Sequence, residues 1–257
     1  GAVVLELKDV CADDERGLPA LRELSLSVRA GEIVGIAGVA GNGQRELSEV
    51  ITGLRPAKSG GVSINCVDLT NRTPLEIIKS GVSHIPSDRI AVGAVGDMSV
   101  ASNLAMKDYR AAPISKGALL LPRRILEFAR KMIGLFNIAT PSPETRVKFL
   151  SGGNIQKTIL AREIESCGCL LVAVYPSRGL DIGATESVRK ELVAQRDAGK
   201  AVLLVSEDID ELLTVADTIA VMYDGRVVGS MPAAGADPEE IGLLMAGVAP
   251  SAEEVRA

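Results

Sequence analysis

Apolar and polar residues alternate along VVLELKDV (residues 3–10) and LSLSVRA (residues 24–30). A period of two is the mark of a half-buried strand, and the turn-like ADDERG joins the two. Ile33–Ala37 is instead continuously apolar and bounded by glycine, as in a central strand covered on both faces. After a glycine-rich turn the spacing changes to that of a helix, with Leu47, Val50, Ile51 and Leu54 on one face. RPAKSGG reads as a turn and GVSINCV as another short strand. From about Met98 to Ile164 the character is helical. Ile125, Phe128, Met132 and Phe136 share a face, TPSPET interrupts, and Ser151 caps a new helix.

The later pattern returns to strand and helix in turn. Leu170–Val174 and AVLLVS are buried strands. GATESVRKELVAQRDAG is a helix closed by Gly199. The next helix carries Ile209, Leu212, Leu213 and Ala216 on one face, and IAVMYDGRVVG is a hairpin around Asp224-Gly225. Asp237-Pro238 opens a last short helix that ends near Gly247. Strands alternating with helices predict an α/β fold on a largely parallel sheet, with an antiparallel β layer and a helical insertion.

Composition narrows the function classes. The 257 residues suffice for a well-buried core, which must be aliphatic because aromatics make up only 2% and Trp is absent. No apolar run approaches the roughly 18 residues that suggest a membrane span. The net charge is −5 with no basic block, which weighs against a nucleic-acid partner. The four cysteines and the single His84 form no metal-ligand pattern, so the cysteines read as buried or incidental thiols and His84 as structural. The chain begins with Gly and shows no charged-then-apolar leader, so it reads as a processed product or a piece of a longer protein.

Candidate chemistry starts at IVGIAGVAGNGQREL, Ile33–Leu47. Gly38 and Gly43, with Gly41 between them, have the spacing of a phosphate loop that follows a strand and opens a helix. Backbone N–H groups in such a loop attract anions without help from side chains. Yet Gln44 stands where a lysine would contact phosphates, and Arg45 where a hydroxyl would hold Mg²⁺. Glu46 adds a carboxylate able to satisfy the helix dipole in place of phosphate. Alone, the string leaves open a plain glycine turn or a nucleotide site without its chemistry.

FLSGGNIQK (residues 149–157), YPSRGLDIGA (175–184) and AVLLVSEDIDEL (201–212) occur in the order found in ABC-transporter ATPases, together with GVSHIPSDR and DMSVASNL. The chain resembles that family over nearly its whole length. More narrowly, AGNGQREL, LSGGNIQK and PSRGLDIGA are similar to the second, degenerate half of fused ATP-binding proteins that import simple sugars or nucleosides. IGLLMAG leans toward the nucleoside branch.

The resemblance implies a P-loop NTPase core of RecA type, an antiparallel β layer and a helical subdomain in a single ABC ATPase domain. Its parts would be residues 1–97 for the β layer and loop, 98–164 for the helical subdomain with the signature, 165–236 for the rest of the core, and 237–257 for a C-terminal helix and tail. Carried over by position, the loop lysine falls on Gln44 and its hydroxyl neighbour on Arg45. The Mg²⁺-organising aspartate falls on Val174 and the catalytic glutamate on Tyr175. The switch histidine falls on Glu207 and the Q-loop glutamine on Ser87. No aromatic occurs at Val10–Gly17, where the adenine-stacking residue is expected. The signature (Ser151, Gly152, Gly153, Asn154, Gln156) and the D-loop (Gly179, Leu180, Asp181) remain standard.

This pattern implies no catalytic residue and no metal ligand in the chain itself. ATP, with its Mg²⁺, would sit at the loop of a second ATPase half upstream in the same polypeptide. The signature would cap that ATP and the domain would transmit closure to transmembrane permease subunits; Ile85–Met98 would lie at their contact, or else be an ordinary surface loop. An extracytoplasmic binding protein would be an indirect partner, and the place of action the cytoplasmic face of the membrane. Two alternatives stand beside it: an active ATPase with Arg45 as replacement cation and Glu207 as base, and a non-catalytic interaction module with the same fold.

Overall fold

A computed structural model describes residues 1–109, 112–117 and 119–248. The strands are β1 (Val3–Asp13), β2 (Pro19–Arg29), β3 (Ile33–Ala37), β4 (Ser59–Ile64), β5 (Val67–Asp68), β6 (Val82–Ile85), β7 (Ser115–Lys116), β8 (Leu119–Leu120), β9 (Leu170–Val174), β10 (Ala201–Ser206), β11 (Thr218–Tyr223) and β12 (Arg226–Pro232). The helices are α1 (Gln44–Ile51), α2 (Pro74–Lys79), α3 (Val100–Ala105), α4 (Pro122–Leu135), α5 (Gly152–Glu165), α6 (Ile182–Asp197), α7 (Ile209–Val215) and α8 (Pro238–Met245). The described residues divide into two compact units, one within 1–84, 168–175 and 191–248, the other within 85–167 and 176–190.

The first unit holds two sheets. An antiparallel sheet runs in the order β2-β1-β4-β5, and a six-stranded sheet in the order β12-β11-β3-β10-β9-β6. In the larger sheet β10 pairs in parallel with both β3 and β9, β11 in parallel with β3, and β12 antiparallel to β11. All residues of β3, β9 and β10 are buried, as their unbroken apolar runs predict. The core is aliphatic, with Leu5, Val10, Leu24, Ile36, Leu47, Val172 and Leu203 in one cluster.

Several local expectations are corrected here. Leu54 lies beyond the end of α1 and is exposed. The predicted turn RPAKSGG is already strand from Ser59. GVSINCV is not one strand: Asn65 and Cys66, both at positive φ, turn β4 back onto β5. On α7 the buried residues are Glu211, Leu212 and Val215, so the apolar face drawn through Ile209 and Ala216 is displaced. Glu211 is buried because the Ser206 hydroxyl donates to its carboxylate at 2.6 Å. The expected C-terminal tail lies outside the described residues from 249 onward.

The second unit is mainly helical, with α3 packed on α4 and α5. On α4 the buried residues are Ala129 and Met132; Ile125 and Phe128 are only half-buried and Phe136 ends the helix. A feature absent from the sequence pattern is a π-helical turn at Arg89–Gly93, started by Asp88, whose carboxylate accepts from the Ile90 and Ala91 amides. Among the described residues no helix is long and apolar enough to cross a membrane.

Candidate functional site

In the first unit, the glycine loop joins β3 to α1 as its spacing predicts. Gly43 caps α1 at φ +100, a left-handed conformation that glycine adopts without strain. A Cβ there would stand 2.5 Å from the Ala20 carbonyl oxygen. The Asn42 side chain accepts from the Asp224 amide and its carbonyl from the Gly225 amide, which fixes the loop to the β11–β12 turn.

The side chains decide what this loop can do. Gln44 is 1% exposed, and its amide donates to the Val39 carbonyl at 3.0 Å. A Cβ on Gly38 would clash with that amide, so the glycine is the space into which Gln44 folds. The side chain at the lysine position is therefore neutral, buried and bonded to its own loop. Arg45 points away from the loop: it donates to Glu49 at 2.7 Å and to Glu15 at 2.6 Å, and remains 60% exposed. The Glu49 hydrogen bond and charge, then Glu15, hold its guanidinium above the ordinary pKa. Glu46 lies in the first turn of α1.

Val174 is buried at the end of β9. Tyr175 follows at φ +48, with its amide donating to the Val205 carbonyl at 2.8 Å. Glu207 is exposed just before α7. A Mg²⁺-bound triphosphate needs cations and carboxylates at these positions. Gln44, Val174 and Tyr175 do not fit it. Among the described residues no group of three or more His, Cys, Asp or Glu is placed to hold a metal.

In the second unit, the signature residues Ser151 and Gly152 are exposed at the start of α5, with Gly153 and Asn154 half-buried beside them. Ser151 occupies the N-cap position but makes no side-chain capping bond. Its hydroxyl instead accepts from the Asn154 amide at 2.9 Å, while Asn154 accepts from the Ala139 backbone at 2.7 Å. Gln156 is 1% exposed and does not join this surface. In the D-loop, the Asp181 carboxylate accepts from the Ala184 amide at 2.8 Å.

Ser87, Asp88, Arg89, Gly152, Ile155 and Arg178 line a cleft of about 430 Å³. The structure thus brings the signature and the Q-loop position together. It adds two arginines to which sequence reasoning gave no role: Arg89 ends the quoted GVSHIPSDR and Arg178 lies in YPSRGLDIGA, but neither matched a functional position. A second group it passed over is buried. Arg162 donates to Glu163 at 2.8 Å and to the Gly93 carbonyl at 2.8 Å, and Lys107 pairs with the same Glu163. Burial raises the Glu163 pKa, but the Lys107 and Arg162 charges outweigh it, and the carboxyl lies below its ordinary value.

A family model described as ABC transporter matches residues 21–172. The chain is 46% identical over 247 residues to the guanosine import ATP-binding protein NupO of Bacillus subtilis (strain 168), covering 96% of this chain and 48% of that protein. It is 45% identical to the glucose import ATP-binding protein TsgD13 of Haloferax volcanii, covering 96% and 45%. It is 44% identical to the nucleoside import ATP-binding protein NupA of Lactococcus lactis subsp. cremoris, covering 95% and 48%. The chain therefore spans about half the length of the curated relatives it matches. Among solved structures, an ABC-transporter ATP-binding cassette in its ADP conformation superposes with a TM-score of 0.75 at 21% identity, over 99% of this chain and 98% of that one. That similarity is one of fold.

Proposed function

The chain belongs to the ABC transporter family, and we propose that it is the degenerate half of an importer's ATP-binding protein, completing a nucleotide site held by a partner half. The observation that carries this reading is Gln44, whose buried amide fills its own loop and bonds to Val39. Loss of one preorganised charged or hydrogen-bonding donor costs about 10²–10³ in rate. Here the lysine, the metal ligands and the base are all replaced, so the isolated chain binds nucleotide weakly and hydrolyses little or none. The alternative with Arg45 as replacement cation requires that side chain in the loop, whereas Glu15 and Glu49 hold it outside. Ser151 and Gly152 stay open to an incoming γ-phosphate, and the ATP and Mg²⁺ belong to the partner's loop.

Relatives named for guanosine, glucose and nucleoside import support a sugar or nucleoside as cargo, and their roughly doubled length supports a second ATPase half in the same polypeptide. The domain then works at the cytoplasmic face of a membrane with permease subunits and, through them, an extracytoplasmic binding protein. A route for coupling runs inside the second unit. Ile90, Val92, Val95 and Met98 are exposed, and the end of this stretch is hydrogen-bonded to the segment entering the signature, Val147 to Met98 and Lys148 to Gly96. These exposed residues form the permease-facing surface in this reading.

Calorimetry with Mg-ATP and a turnover assay test the reading directly. The chain alone should show no sub-micromolar binding and no turnover. In the complete importer, Ser151→Arg should abolish transport while the domain stays folded. Normal transport in that variant would sink the proposal.

A further inference from the structure

Arg89 lies close to both Gly152 of the signature and Gly179 of the D-loop. Its Nη1 lies 3.5 Å from where a Cβ on Gly152 would stand, and its Nη2 4.0 Å from where one on Gly179 would stand. These are ordinary contact distances, so the guanidinium fork lies against both the signature and the D-loop backbone. No carboxylate among the described residues forms an ion pair with it, and burial alone pushes its pKa below the ordinary guanidinium value. The adjacent carboxylate, Asp88, is engaged by the Ile90 and Ala91 amides of the π turn. Those two backbone bonds hold its own pKa down. Arg178 lines the same cleft.

A half-buried guanidinium with no anionic partner lacks the carboxylate or phosphate that its planar, two-pronged geometry best accommodates. The cleft, at about 430 Å³, has room for a phosphoryl group. Serine hydroxyls and backbone amides in the signature are neutral, so they add no formal charge to balance a triphosphate. We infer that Arg89, with Arg178 beside it, is a phosphate-positioning residue that supplies positive charge from this chain to the terminal phosphoryl group of a nucleoside triphosphate held by the partner half. The inference rests on the reading above for the source of the triphosphate, but the anion site itself lies wholly within this chain.

The test uses the chain as it is and sodium tripolyphosphate as the probe, at constant ionic strength, followed by amide chemical shifts. Saturable shifts are expected at Gly152, Gly153 and Gly179, and Arg89→Met should weaken the binding about tenfold or more. Arg89→Lys keeps the charge but loses the fork, so it should weaken binding by a smaller factor. It also serves if the Met variant fails to fold. Three results would overturn the inference: no saturable shift at the three glycines, shifts unchanged in both Arg89 variants, or shifts confined to residues 38–46. Failure here with transport abolished by Ser151→Arg would leave the partner-half reading standing. Binding through Arg89 with normal transport in that variant would leave the anion site and remove the partner-half reading.

Discussion

Two glycine-rich strings in this chain look alike on paper and differ in structure. Both GVAGNGQRE and LSGGNIQ lead into a helix, α1 in one unit and α5 in the other. In the first, the side chain after the last glycine turns inward, is buried and bonds to the loop's own carbonyl. In the second, the polar side chains brace one another: Asn154 spans from Ser151 to Ala139, and the serine and first glycine stay exposed. Glycine content does not decide whether such a loop is a binding surface. What decides it is where the neighbouring side chain finds its hydrogen-bond partner, inside the turn or away from it.

The largest effect expected from breaking this contrast lies behind the open string. α5 carries the buried Arg162, which holds both Glu163 and the Gly93 carbonyl at the end of the π turn. Arg162→Met leaves Glu163 with Lys107 and leaves that carbonyl without its guanidinium donor. Losing these two hydrogen bonds of a charged group costs about 3–5 kcal/mol together. Hydrogen exchange should show α5 losing protection while β3 and α1 keep theirs. Acid acts on the same group. The folded Glu163 pKa is depressed, so its stabilisation is complete above the ordinary glutamate value of about 4.3 and is lost as pH falls through the lower folded value. Gln44 does not titrate, so acid should loosen α5 before the glycine loop. In Arg162→Met the acid transition should move to higher pH. Equal loss of protection in both regions would show that the strut does not support the signature separately.

A smaller effect tests the backbone side of the comparison. Gly43→Ala must accept φ +100 and a Cβ 2.5 Å from the Ala20 carbonyl, at about 2–4 kcal/mol for strain and overpacking together. Gly152→Ala meets only the Arg89 Nη1, at an ordinary 3.5 Å, and gains helix propensity, so its cost should stay under about 0.5 kcal/mol. Urea midpoints of the two variants measure the difference. Equal destabilisation would mean that the loop and the signature are backbone-constrained to the same degree.

The strands were legible because alternation and unbroken apolar runs report burial directly. β1, β3, β9 and β10 contain the residues their patterns assign, and β2 all of its pattern but Ala30. What was not legible depends on partners distant in sequence. The π turn needs the Asp88 carboxylate on two amides and Arg162, 69 residues away, on Gly93. The burial of Glu211 follows from the Ser206 hydroxyl, and no periodicity announces it. The turn at Asn65-Cys66 has positive φ at both residues without a glycine to mark it. At the site, the residue types at positions 44, 45, 174 and 175 could be read from the motifs. The inward fold of Gln44, the outward tether of Arg45 to Glu15 and the approach of Arg89 to Gly152 could not, because each is a side-chain direction.

The smallest expected effect comes from restoring the loop's missing charge. Gln44→Lys puts an ammonium where the amide now donates to Val39, and a lysine can either keep that bond or turn toward an anion. One added charge-assisted hydrogen bond contributes about 1.5–3 kcal/mol at most, or roughly 10–150-fold in affinity. Desolvating the ammonium beside a buried loop removes part of that gain. The other positions are unchanged: Arg45 remains tied to Glu49, and Val174 and Tyr175 offer no metal ligand. Calorimetry should therefore find Mg-ATP binding tightened by about tenfold or less, with no turnover. A variant that hydrolysed ATP would show that Gln44 alone keeps the loop silent and that the changes at Val174 and Tyr175 are incidental. If affinity did not change at all, the loop would be closed by its backbone, with Gln44 filling a space no phosphate could enter.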